Sequence, residues 1–252
     1  MSDETESMPD EPEEPIVTTA DSYEVTPRNR VKRRPMRGFY DRATVHGILD
    51  SAFVCHIAYT IDGQTFCTPT GFWREGEHLY WHGSSASRMV RAQAEGLPIC
   101  LTVTHLDAIV LARCGFNHSV NYRSAMVYGR SFAIKDADAK LKLMDNFLNR
   151  YFPGRAGLMR PASVQETKAT TFIGMEIEQA SAKIRDVHVH DDEEDYAVPA
   201  WSALYPVRQV LGEVEECPRQ LPGVTMPEGM RPYQAGRRLD DIFLETMKTY
   251  ES

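Results

Sequence analysis

No apolar run in the 252 residues approaches the roughly 18 that a membrane-spanning helix requires, so no transmembrane helix is expected. The N-terminal stretch MSDETESMPDEPEEP lacks the basic residues of a signal or transit peptide, which predicts a cytoplasmic protein. Cysteine is sparse and scattered. The five residues Cys55, Cys67, Cys100, Cys114 and Cys217 form no CxxC pair, so reduced, packed thiols are expected and a cysteine-built zinc site is not. An excess of positive charge is also missing: the formal net charge of −8 disfavours nucleic acid as a partner. One basic run, Arg28, Arg30, Lys32, Arg33, Arg34 and Arg37, follows directly on the acidic, proline-containing start, so the two blocks are expected to neutralise one another.

What the chain does have is 42% hydrophobic residues, ordinary for a globular protein with a real core. Residues 1–27 read as an acidic arm without fixed structure, 28–235 as one folded domain, and 236–252 as a surface helix. Asp41 caps a helix through about Ser51, with Val45, Ile48, Leu49 and Ala52 at helical spacing. VCHIAYTIDGQTFCTPTGFWREGEHLYWHG reads as a three-stranded meander turned at Asp62-Gly63 and Glu75-Gly76. LPICLTVTHL and AIVLARC read as two strands, and YRSAMVYGRSFAI as a long one that its glycine lets bend. KDADAKLKLMDNFLNRYFPG is an amphipathic helix with Leu141, Met144, Phe147, Leu148 and Tyr151 on one side. SVQETKATT carries a capping box, Ser163 with Glu166, and FIGMEIEQASAKIR returns to strand alternation. The tally is a mainly β fold with peripheral helices, a six-stranded antiparallel barrel. From about Val187 to Tyr233 the chain turns rich in Pro and Gly with scattered aromatics, and is expected to wrap over the barrel or a second subunit.

Chemistry concentrates in YWHGSSASRMVRAQAEG, residues 80–96. A strand ending in Gly-Ser-Ser and entering a helix brings backbone N–H groups, the positive end of the helix dipole and several hydroxyls together, an arrangement suited to an anion. Arg88 adds a planar fork that fits phosphate. Simple helix capping by Ser84 or Ser85 is the competing reading. No GxGxxG follows a strand, which argues for a mononucleotide over a dinucleotide. HVHDDEED sets His188 and His190 beside five acidic residues without the spacing of an ion site, and reads as a solvated loop; no metal is expected.

The order of elements, with DSAFVCHIAY, DGQTFCTPTGFWREGEHLYWHGSSASRM and FNHSVNYRSAMVYGR, resembles the FMN-binding split-barrel superfamily of the pyridoxamine 5′-phosphate oxidase type, in its subgroup akin to the nitroimidazole-resistance reductases. The resemblance implies a homodimer with FMN in a groove between subunits. It puts the phosphate at Ser84, Ser85, Ser87 and Arg88 and the isoalloxazine edge along Thr68, Pro69, Thr70 and Gly71. It also implies cofactor contacts from Trp81 and His82, and from Asn121, Tyr122, Arg123 and Ser124 across the dimer. His82 is the candidate catalytic residue; the alternative is a neutral His bonded to a loop carbonyl. The C-terminal Arg-Leu-Ser-Pro segment of the vitamin B6 oxidases is missing, and Met89 stands where relatives carry a second base. The activity implied is electron transfer from a reduced nicotinamide to a small organic acceptor or oxygen, with Trp201 or Tyr205 as a lid; a flavin carrier or haem-binding protein is the alternative.

Overall fold

The computed structural model describes residues 19–251. Ten antiparallel strands and five α-helices make up most of it. In chain order they are β1 (Gly38–Phe39), α1 (Arg42–Asp50), β2 (Val54–Ile61), β3 (Gln64–Gly71), β4 (Trp73–Glu75), β5 (His78–Ser84), α2 (Arg88–Ala94), β6 (Pro98–Leu111), β7 (Ser119–Ile134), α3 (Ala137–Tyr151), α4 (Val164–Ala169), β8 (Thr170–Glu176), β9 (Gln179–Arg185), β10 (Ala203–Pro206) and α5 (Leu239–Glu251). The sheet runs β3-β2-β6-β7-β8-β5-β4, with β9 added on β7, β1 on β9 and β10 on β6. It curls without closing, because β3 pairs only with β2. The result is a split antiparallel barrel.

The strand count exceeds six for identifiable reasons. The expected meander breaks at the buried Phe72, where the chain leaves β3 and starts β4, so β5 pairs with β4 and β8 and not with β3. The Asp62-Gly63 turn does form, with φ of 50° and 76°, the left-handed pair that a two-residue hairpin demands. The two strands read at 97–114 are one, β6, bulged between Leu106 and Ala108 so that Asp107 is the extra residue. FIGMEIEQASAKIR splits into β8 and β9. Gly129 lets β7 pass from one partner to the other: residues 122–128 pair with β9 and 131–134 with β8. A Cβ there would collide with the carbonyl of Glu176 and the side chain of Met175.

The barrel interior holds Ile57, Leu79, Trp81, Ile99, Leu101, Val127, Ile173 and Met175, with α1 and α2 packed against it. Outside the barrel, α3 and α5 clamp a second, aromatic layer of Trp73, Tyr151, Phe172 and Phe243. Capping by Asp41 and the Ser163–Glu166 capping box form as expected. Helix α3 buries Leu143 and Tyr151 and half-buries Phe147, whereas Leu141 stays exposed. Two boundaries shift. Tyr23 is 3% exposed and its hydroxyl contacts His46 and Glu77, so residues 19–27 join the fold; residues 1–18 lie outside the described residues. Helix α5 is no mere surface helix, since it buries Ile242, Phe243, Thr246 and Met247. The wholly buried Arg150 ties it down, donating to the carbonyl of Phe243 at 3.0 Å and to that of Asp50 at 2.7 Å. The five cysteines are free, but only Cys55 is buried; Cys67 and Cys217 are exposed.

Candidate functional site

The split between β3 and β5 is where the sequence-predicted groups gather. The free edge of β3 carries Thr68, Thr70 and Gly71 half-buried and Pro69 exposed, and an edge strand leaves every second backbone amide and carbonyl available. Across from it, β5 beyond Tyr80 pairs on one side only, with β8. Ser84 ends that strand, Gly83 admits the close approach of Val90 from α2, and Arg88 opens the helix. The Arg88 guanidinium lies 4.4 Å over the ring of Phe66 on β3, spanning the split. Phe66 stacks on Tyr59 with centroids 5.6 Å apart, and the Tyr59 hydroxyl lies 3.2 Å from that of Thr68. Tyr59 and Phe66 were not among the sequence candidates, although their inward alternation on two adjacent strands was visible.

The loop's amides are less available than expected. Those of Ser85, Ala86 and Ser87 donate to the Ala169 carbonyl, the Ser84 hydroxyl and the Ser84 carbonyl. Ser87 makes no side-chain cap bond, so its hydroxyl, with that of Ser85 and the exposed Arg88 guanidinium, is what the loop offers an anion.

Trp81 and His82 do not face the split. Trp81 points into the barrel, wholly buried, its Nε1 donating to Gln93 Oε1 at 2.9 Å. His82, one residue on, points the opposite way, as strand alternation requires. It lies among the rings of Phe172, Phe147 and Trp73 at 5.2, 5.7 and 6.4 Å beneath α3. Its Nδ1 is buried without a partner, and burial pushes the imidazole below its ordinary pKa. The geometry is that of a neutral packing histidine, held by no loop carbonyl.

Asn121, Tyr122, Arg123 and Ser124 lie on β7, separated from β3 by β2 and β6, so a single chain does not bring them to the same groove. Buried Asn121 donates to the Val187 carbonyl at 2.9 Å and accepts from Arg185 at 2.5 Å. The Ser124 hydroxyl donates to the Lys183 carbonyl. Arg123 forks onto the bulge carboxylate of Asp107 at 2.8 and 2.9 Å and reaches Asp240 at 3.1 Å. The hydrogen bond to Asp107 raises the Arg123 pKa. Burial opposes ionisation of Asp240, but bonds from Arg238 and Arg123 outweigh it and bring its carboxyl down to about 2. Asp107, Asn121, Arg123 and Arg238 line a cleft of about 400 Å³ together with His188, Leu204 and Arg208. The one signal for this network was a charge, Asp107, inside an otherwise apolar strand.

Residues 41–184 match the family model described as pyridoxamine 5′-phosphate oxidase, and the chain belongs to that family of split barrels. Two solved structures are similar over most of the chain. The flavocytochrome Anf3 of Azotobacter vinelandii is 41% identical, with a TM-score of 0.78, covering 84% of this chain and 98% of its own. The FAD and haem binding protein of Mycobacterium smegmatis is 31% identical, with a TM-score of 0.75, covering 81% and 98%. A protein of Bacteroides thetaiotaomicron ascribed to 5-nitroimidazole antibiotic resistance is more distant, at 20% identity and a TM-score of 0.49 over 58% of this chain and 86% of its own. No curated protein matches. Among the described residues, no helix is long and apolar enough to cross a membrane.

Proposed function

We propose that the chain is a flavin-binding redox protein that also binds haem and works as a homodimer in the cytoplasm. The observation that carries this reading is the 41% identity to a flavocytochrome over 84% of the chain, which extends beyond residues 41–184 into the C-terminal wrap. A flavin, when bound, accepts hydride from a reduced nicotinamide and passes electrons on to an organic acceptor, oxygen or a second centre. The Pro69 carbonyl and the Gly71 amide and carbonyl, on the unpaired side of β3, with the half-buried side chains of Thr68 and Thr70 beside them, suit the polar edge of the ring system. Arg88, with the hydroxyls of Ser85 and Ser87, suits one phosphate, and Phe66 holds Arg88 in place. We keep FMN as the flavin on the strength of that single basic group; the relative named for FAD makes the alternative concrete.

Two features support the dimer. Leu106, Ile109, Val120 and Met126 stand exposed on the outer face of β6 and β7, with Tyr205 on the adjoining β10. Arg123 and its neighbours complete a flavin groove only if a partner's strands bring them there. Free thiols throughout the chain suit a reducing compartment.

The test is a visible spectrum of the purified protein, with the flavin released by denaturation and separated as FMN or FAD. Reduction by NADH or NADPH followed by reoxidation supports a catalyst, and bound flavin that neither reduces makes the protein a carrier. Arg88→Ala is expected to weaken flavin binding by about 1.5–3 kcal/mol, the range for hydrogen bonds to a charged group. Unchanged affinity would move the phosphate elsewhere.

A further inference from the structure

We infer that the sheet edge formed by β9, β1 and the turn before β1 docks an acidic protein, through a basic strip with an apolar centre. The basic run at 28–37 is built into the fold. Buried Asn29 donates to the carbonyls of Glu24 and Ala180 at 2.8 and 3.0 Å, and the Val31 amide donates to the hydroxyl of buried Tyr40 at 2.8 Å. The Arg28 guanidinium lies 4.4 Å over the ring of Tyr128 on β7. Lys183 of β9 donates to the Arg33 carbonyl at 3.2 Å, and Gly38, next to Arg37, stands opposite Lys183 in the β1–β9 register. Two segments 150 residues apart thus bring their cations together.

The strip follows β9. Tyr128 stands opposite Gln179 and Tyr122 opposite Arg185, so Arg28 and Arg185 mark two ends about 20 Å apart at the rise of a strand. Lys183, with Arg33 and Arg37 beside it, lies between them. These charges repel one another. Burial and the guanidinium groups of Arg37 and Arg33 push the Lys183 ammonium below its ordinary pKa, and burial and Arg37 do the same to Arg185. Among the described residues, no carboxylate pairs with Arg33, Arg37, Lys183 or Arg185 to relieve the repulsion. In a chain with a formal net charge of −8, cations crowded and left unpaired on one edge attract an anionic partner.

The neighbouring side chains say which kind. Met36, between Pro35 and Arg37 in the turn, is 45% exposed, and Phe39 on β1 is 37% exposed. An apolar centre inside a charged rim is the anatomy of a protein interface, where Met, Phe and Arg are all enriched. A phosphate backbone has no use for those apolar groups. An extended nucleic acid or an anionic membrane would also meet the acidic remainder of the molecule. Because β1 pairs only with β9, the strip stands at a free edge, and none of its residues belongs to the split or to the apolar face assigned to the dimer.

Fluorescence anisotropy of the full-length protein with a labelled synthetic peptide, mixed Glu and Asp around one Leu-Phe pair, decides the matter, with thermal melts confirming the fold of each variant. Wild type is expected to bind the peptide, and more weakly as salt rises. The double variant Arg37→Ala and Lys183→Ala should bind about tenfold weaker, the upper part of the range for two exposed ion pairs. Met36→Ser should weaken binding of this peptide but not of one without the Leu-Phe pair. Lys142→Ala, which removes an exposed cation from α3, should change nothing. Equal losses in Lys142→Ala and the double variant, or a double variant that binds like wild type, would overturn the site. Tighter binding of a DNA duplex or of phosphatidylserine vesicles, weakened by the same double variant, would overturn the acidic protein as its occupant. Failure of wild type to bind the peptide at low salt would overturn the proposal outright.

Discussion

The two outer faces of this sheet carry similar residues and meet opposite fates. One face, across β4, β5 and β8, is covered by α3 and α5, and its central aromatics are sealed: Trp73 and Phe172 are buried and Tyr151 anchors its hydroxyl on the carbonyls of Ala52 and Phe72. The other face, across β6, β7 and β10, shows Leu106, Ile109, Met126 and Tyr205 to solvent with no helix over them. Apolar surface of that extent is costly to leave bare. The covered face is therefore finished within one chain, and the open face is the one proposed above to meet a second copy. His82 sits on the finished face, which is why its position in sequence beside the serine-rich loop misleads.

Trp73→Ala should do the greatest damage, about 3–5 kcal/mol of unfolding free energy in a urea titration, because the aromatic layer has no spare atoms to collapse into the gap. If the loss is under 1 kcal/mol, the covered face is no better sealed than the open one. Gly129→Ala comes next, expected to cost about 1–3 kcal/mol as β7 is pushed off β8; a variant that melts with wild type would show that the close approach is not needed. On the open face, the double substitution Ile109→Asp and Met126→Asp should change the stability of the isolated chain by only about 0.5 kcal/mol. Sedimentation should nevertheless show the dimer lost, and a dimer that survives would place the interface elsewhere.

The smallest effect is in pH dependence. Burial lowers the pKa of His82, so near neutral pH and above both folded and unfolded forms are neutral there. As pH falls below about 6.5, the unfolded chain takes up the proton and the folded one resists, so stability declines. His82→Leu should flatten that decline without lowering turnover per bound flavin. The slope should not vanish, because His46 and His105 are lowered by burial in the same direction. An undiminished acid slope, or a rate per flavin that drops in proportion, would return His82 to the cofactor.

Much of the fold was legible because it follows from short-range rules. Asp62-Gly63 could make only a tight left-handed turn, Asp41 and Ser163 could cap only the helices that follow them, and the loop between β5 and α2 lies where its glycine and serines sit. Errors arose where long-range pairing decided the outcome. Nothing local in TPTGFWRE announces that the chain abandons one sheet at Phe72 for another. THLDAIV reads as two strands because a bulge looks like an interruption until the partner strand runs past it. Arg123 appeared to be a free cofactor donor; its partners, Asp107 and Asp240, lie 16 residues before and 117 after it.

Composition, periodicity and capping thus determined most of the elements, their order and the presence of a serine-rich loop between a strand and a helix, since each depends on residues within a turn or two of one another. Tertiary structure alone decided which face of β5 is covered by α3, that Arg88 reaches Phe66 across the split, and which sheet face stays bare. Those outcomes depend on the curl of the sheet and on which helices return to cover it, contacts between residues far apart in the chain, whose energies no local pattern encodes.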